Sequence, residues 1–221
     1  MKLLIEALTK FTCGLLLVGL LIFLPAGTLS YTYGWLLVGL LFGPMLIAGF
    51  VMLSKSPEFL KKRLDAKEKQ GTQKGVVAFS GLMFIVGFVV AGLDFRFGCS
   101  KMPLWVTIVA SALFLVAYAL YAEVMRENAY LSRTIKVEQG QTVVDTGLYG
   151  IVRHPMYAVT LLLFLAMPLV LGSWYALIVF AFYPAIIIVR LKDEEALLTK
   201  ELPGYAQYKQ KVKYRLIPFI W

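Results

Sequence analysis

Six apolar runs constrain this chain more than any other feature, falling at about 8–24, 31–53, 76–93, 104–125, 156–171 and 174–190. A helix needs roughly 20 apolar residues to cross the hydrocarbon of a bilayer, because it rises only about 1.5 Å per residue. Inside lipid every backbone N–H and C=O must find its partner within the protein, so runs of this kind fold as helices. The first four runs have about the required length. The run 156–171 gives a helix of only about 24 Å, and Gly172-Ser173 alone separates it from the next. These two read as a tight helical hairpin, short enough to thin the bilayer or lean on its neighbours. With 60% of its 221 residues hydrophobic, the chain is not an ordinary soluble domain. The expected fold is an all-α integral membrane protein of about six transmembrane helices, with a C-terminal hairpin and a cytoplasmic tail.

Charge sets the expected orientation. If both ends lie on one side, the loops there are 1–10, 54–75, 126–155 and 190–221, with 2, 7, 4 and 7 Lys and Arg. The opposite loops hold only Arg96 and Lys101. The positive-inside bias then puts both termini in the cytoplasm. The net charge of +9 is explained by anionic lipid headgroups, and no nucleic-acid partner is expected. Cys13 and Cys99 fall on opposite sides of this topology, so neither a disulfide nor a Cys/His metal cluster is expected. Lys2 and Lys10 before an apolar run resemble a signal peptide. A second run follows within a few residues, however, so a retained first helix is the expectation.

The chain divides at about residue 125. Residues 1–125 read as four anchoring helices with a basic loop, 54–75, in which Phe59, Leu60 and Leu64 share helical spacing. That loop is expected to lie along the membrane surface. Asp94 and Arg96 are placed at the outer interface. Residues 126–221 carry the polar chemistry. Their first part, 126–154, is a long polar stretch; 134–144 alternates loosely around Gly140 and predicts a short hairpin or an irregular flap.

That stretch leads to Gly147-Leu-Tyr-Gly-Ile-Val-Arg-His-Pro-Met-Tyr157, which holds the only histidine, His154. Pro155 suits the first turn of a helix and disfavours α geometry at the residue before it. A helix is therefore expected to start there, with Arg153 and His154 at its mouth. Unpaired N–H groups and the dipole make such a mouth an anion site. After the hairpin, Arg190 and Glu194 are four apart and share a helix face, with Glu195 beside them. Tyr205 and Tyr208 follow in the tail. Read without further context, the two arginines are interface anchors, His154 a helix cap, the glutamates a solvated turn and the tyrosines interfacial packing.

Taken in order, the Arg-His-Pro motif, the hairpin, Arg190-Leu-Lys-Asp-Glu-Glu195 and Gly204-Tyr-Ala-Gln-Tyr208 resemble the isoprenylcysteine carboxyl methyltransferase family. Arg126-Glu-Asn-Ala-Tyr-Leu-Ser132 and Glu138-Gln-Gly-Gln-Thr-Val-Val144 are similar to its bacterial branch. The resemblance covers about 120–221 and implies a bacterial plasma-membrane methyltransferase that uses S-adenosyl-L-methionine, has no soluble Rossmann domain, and admits a lipophilic acceptor from the bilayer. It implies catalytic roles for Arg153, Arg190 and Glu194. Cofactor contacts are implied for Gln141, Val144, Gly147, Tyr149, His154, Pro155, Tyr157, Glu195, Tyr205 and Tyr208. The residue chemistry is compatible: the helix mouth suits a carboxylate, Glu194 or Glu195 an ammonium, and the tyrosines an adenine or ribose. Arg190 is assigned to an acceptor carboxylate and Arg153 or His154 to the cofactor side, with the reverse pairing open. Competing expectations are phospholipid N-methylation, thiol S-methylation, an NADPH-dependent membrane sterol reductase, and a non-enzymatic partner-binding subunit.

Overall fold

The computed structural model describes residues 1–65, 71–132 and 134–221. Four long helices come first, interrupted by a short one: α1 (Lys2–Ala26), α2 (Thr32–Lys55), the short α3 (Pro57–Leu64), α4 (Gly71–Phe97) and α5 (Leu104–Glu127). An irregular segment and a single 3-10 turn (Gly147–Gly150) lead to α6 (Pro155–Val170), α7 (Trp174–Phe180), α8 (Tyr183–Glu201) and α9 (Tyr205–Lys211).

Among the described residues, five helices are long and apolar enough to cross a membrane: α1, α2, α4, α5 and the composite Trp174–Glu201. The sixth expected helix, the hairpin's first arm, is present as a shorter apolar helix, Pro155–Val170. Its 16 residues rise about 24 Å, less than the roughly 30 Å of hydrocarbon. Large side chains such as Leu16, Leu20, Ile47, Phe50, Leu82, Trp105 and Ile108 stand exposed on the helix surfaces. In water these would form an extensive apolar patch; lipid is their natural solvent.

Packing joins the two halves of the chain. The most extensive contacts are α5 against α6 and α1 against α4, and α4 also packs on α7 and α8. Close approach depends on missing side chains. A Cβ on Gly92 would lie 2.5 Å from the Ile22 carbonyl oxygen, and one on Gly87 would lie 2.4 Å from the Phe180 ring. One buried apolar cluster runs from Ile22 through Leu37, Phe114, Phe180 and Leu191 to Leu216.

Three further expectations meet the structure differently. Asp94, expected at the outer interface, is buried within the protein near the end of α4: its carboxylate accepts from Ser100 N at 2.7 Å, Ser100 Oγ at 2.6 Å and the Ser173 hydroxyl. A buried carboxylate needs such donors. They fasten the α4–α5 loop to the hairpin tip, where Ser173 Oγ also caps α7 by accepting from Ala176 N at 3.0 Å. The run 174–190 is broken at Ala181-Phe182, and its second helix continues through Arg190 to Glu201. Between 134 and 144 there is no strand, and Gly140 turns with φ 75°. The segment is thus the irregular flap, not the hairpin. Of the basic loop, α3 follows the expected helical spacing and buries Leu60; residues 66–70 lie outside the described residues.

Candidate functional site

At the end of α6 remote from the hairpin tip, polar side chains from four segments converge. The 3-10 turn brings the chain in. Gly147 has φ 49°, and a Cβ there would sit 1.4 Å from Glu127 Oε1, so only glycine fits. Glu127 Oε2 accepts from Leu148 N at 3.0 Å, pinning the turn to the end of α5. His154 is the N-cap residue of α6 and Pro155 opens the helix, although the imidazole makes no capping bond.

The loop before α6 is stitched to the tail. Arg153 N donates to the Tyr214 carbonyl and His154 N to the Arg215 carbonyl, both at 2.9 Å. The Arg153 guanidinium is fully engaged behind the surface. Its Nε donates to Glu195 Oε1 at 2.6 Å, and its Nη1 to the carbonyls of Val212 and Lys213 at 2.8 Å each. Glu195 is met as well by His154 Nε2 at 3.3 Å and by Arg215 Nε at 3.0 Å. Arg153, His154 and Glu195 are all buried, and a buried ion cluster persists only when each charge is matched in this way.

A second network faces a cleft. The Tyr157 hydroxyl donates to Glu194, and Arg190 Nε donates to Tyr157 Oη at 3.1 Å. Arg190 Nη1 reaches Gln73 Oε1 at 3.2 Å. The walls of the cleft enclose about 830 Å³ of space, part of it open solvent. Its walls are the end of α5 (Asn128), the flap (Thr134, Ile135, Lys136, Gln141 to Val144), Tyr149, the α6 mouth (Arg153, His154, Met156, Tyr157), α8 (Arg190, Glu194, Leu198) and the tail (Leu202, Tyr205, Tyr208).

The tyrosines are fixed by hydrogen bonds, with one exception. Tyr208 Oη donates to the Tyr149 carbonyl at 2.7 Å, and Asn128 Nδ2 donates to Tyr149 Oη at 2.9 Å. Tyr205 Oη is buried and has no hydrogen-bond partner among the described residues. Burial pushes the hydroxyls of Tyr149, Tyr205 and Tyr208 above their ordinary range, so all three keep their protons at neutral pH. On the rim, Lys211 Nζ lies 2.7 Å from Asp145 Oδ2 and holds that carboxyl below its usual range.

Of the residues singled out in the sequence, Gln141, Val144, Tyr149, Arg153, His154, Tyr157, Arg190, Glu194, Tyr205 and Tyr208 line this cleft. Gly147, Pro155 and Glu195 do not; they stand behind it, shaping the turn, the helix start and the ion cluster. Sequence reading missed Asn128, Met156, Leu198, Leu202 and the flap residues 134–136. Asn128 follows an exposed helix end and the flap has no periodicity, so neither carried a signal.

Residues 106–200 match the description "Isoprenylcysteine carboxyl methyltransferase (ICMT) family". Over those residues the chain is similar to that family. The ICMT match takes in α5, the flap, the α6 mouth, Arg190 and Glu194, but not the tail that completes the cleft. Two curated relatives are similar over part of their length. A Delta(14)-sterol reductase of Methylotuvimicrobium alcaliphilum is 27% identical over 135 residues, covering 54% of this chain and 32% of the relative. A Delta(14)-sterol reductase of Mus musculus is 32% identical over 91 residues, covering 40% of this chain and 22% of the relative. The chain therefore spans about a third or less of these relatives.

Proposed function

We propose that the chain is an S-adenosylmethionine-dependent methyltransferase acting on a lipophilic acceptor with an anionic group, an isoprenylcysteine-like carboxylate first among them. It works in a bacterial plasma membrane with both termini and the cleft on the cytoplasmic side. The family match supports the reaction class. One observation carries the rest: a single cleft presents a carboxylate, Glu194, and a guanidinium, Arg190, joined through the Tyr157 hydroxyl.

The residues present fit the methyl donor. The buried hydroxyl of Tyr205, without a partner among the described residues, offers a hydrogen bond that a ribose would take up, since an orphaned polar group in a cleft wall costs stability until a ligand meets it. Tyr149 and Tyr208 supply flat walls beside it. Bound there, S-adenosylmethionine would supply an electrophilic methyl group on a cationic sulfur to the acceptor oxygen. Glu194 offers its negative charge to a cationic ligand. Arg190 holds the acceptor's oxygen in its ionised form, so no general base is required. Catalysis then rests on alignment and on the charges placed in the cleft wall. Arg153 and Glu195, given ligand roles by the resemblance, here serve as the wall that holds α6, α8 and the tail in register.

Titration calorimetry of the detergent-purified chain with S-adenosylhomocysteine tests this reading. Binding that is lost in a folded Glu194→Ala variant is expected; a folded wild-type protein that gives no heat with this ligand removes the methyltransferase reading. The reductase names of the curated relatives favour a second reading, an NADPH-dependent membrane reductase. NADPH binding in place of S-adenosylhomocysteine would establish it.

A further inference from the structure

We propose that Gln73, at the start of α4, is a positioning residue that sets the direction of the Arg190 guanidinium. The proposal rests on the reading that Arg190 holds the anionic oxygen of the acceptor. Gln73 lies outside the residues that match the family and belongs to a helix otherwise concerned with packing. Its side chain is completely buried, with 0% exposure. A buried amide must satisfy its acceptor and its donor separately. Here the carbonyl accepts from Arg190 Nη1 at 3.2 Å and the amino group donates to Asp193 Oδ2 at 2.7 Å. Arg190 and Asp193 stand three apart on α8, neighbours on one helix face. The flanking charges leave the amide only one sensible orientation, oxygen toward the cation and nitrogen toward the carboxylate.

The guanidinium is thus gripped on two edges. Tyr157 on α6 receives its Nε at 3.1 Å, and Gln73 on α4 receives its Nη1. A glutamate at position 73 would set a like charge against Asp193, whereas the amide meets the cation and the carboxylate at once.

The test compares the wild-type chain with Gln73→Leu, Gln73→Asn and Asp193→Asn, all full-length in detergent. Three quantities are read: S-adenosylhomocysteine affinity, methylation kinetics with S-farnesylcysteine as probe acceptor, and the rate at which phenylglyoxal modifies Arg190, followed by mass spectrometry. Gln73→Leu is expected to leave S-adenosylhomocysteine affinity within about twofold while kcat/KM for the probe falls on the order of 10–100-fold, the usual consequence of a misplaced group. Arg190 is expected to react several-fold faster. Gln73→Asn, which keeps both amide ends, recovers part of both effects. Should Gln73→Leu fail to fold, Asp193→Asn removes the charge that orients the amide and lets it turn over, and is expected to shift the same two readouts in the same direction. Unchanged Arg190 reactivity and unchanged probe kinetics overturn the proposal, as does an equal loss of S-adenosylhomocysteine affinity, which marks a merely structural role. If the wild type binds no S-adenosylhomocysteine, the methyltransferase reading falls; the phenylglyoxal comparison then decides alone whether Gln73 governs Arg190.

Discussion

Arg153 and Arg190 are the same residue put to opposite uses. Arg153 spends its donors on Glu195 and two tail carbonyls inside the protein, whereas Arg190 lies half-buried on the cleft wall with Tyr157 and Gln73 as neighbours. Removing one partner of a buried ion pair strands the other and costs about 3–5 kcal/mol. Glu195→Ala and Arg153→Ala are therefore expected to lower the thermal unfolding midpoint in detergent sharply, with ligand binding lost as a consequence. Glu194→Ala should leave that midpoint nearly unchanged and still abolish methyl transfer. Tyr205→Phe makes a separate case. Its hydroxyl has no partner among the described residues, so the variant should be at least as stable as wild type, yet bind S-adenosylhomocysteine several-fold more weakly by calorimetry. The four-residue spacing of Arg190 and Glu194 was legible in the sequence. Which of Glu194 and Glu195 faces the cleft was not, because that depends on how the tail packs beside α8.

Among the elements, the helices were legible and the connections were not. Apolar runs of bilayer length declare themselves, and Pro155 announced the start of α6. Nothing in 134–144 distinguished a hairpin from a flap, since the segment takes its shape from the cleft it covers. The burial of Asp94 was hidden for a related reason: its donors Ser100 and Ser173 come from two different loops. The 3-10 turn makes the sharpest prediction at this scale. Gly147→Ala combines a left-handed φ of 49° with a Cβ directed into the Glu127 carboxylate. It should cost about 1–3 kcal/mol and misplace Tyr149, seen as a lower unfolding midpoint together with weakened ligand binding.

Across the whole molecule, the anchoring half and the chemical half share one apolar cluster, and α4 reaches the cleft through Gln73. A split at residue 125, natural when charge and motifs alone are weighed, leaves out this contact because Gln73 is separated from Arg190 by more than a hundred positions. The orientation has a direct check. Cys13 on α1 and Cys99 after α4 are both exposed free thiols. In intact cells a membrane-impermeant maleimide should label the chain through Cys99, and Cys99→Ser should abolish the signal. Labelling that survives in Cys99→Ser, or no labelling of the wild type, would reverse the assigned sidedness.

The stitch between the α6 mouth and the tail also bears on time. Arg153 binds carbonyls 59 and 60 positions further along the chain, and those residues leave the ribosome only after α6, α7 and α8 have been made. The apolar helices are able to enter the bilayer one after another as they emerge, whereas the cleft has no local precursor and closes in a single late event. A chain interrupted in the tail would then sit in the membrane with its helices in place and be blind to its ligand. Insertion and competence are separate milestones for this protein, and the second is reached only when residues 212–215 dock.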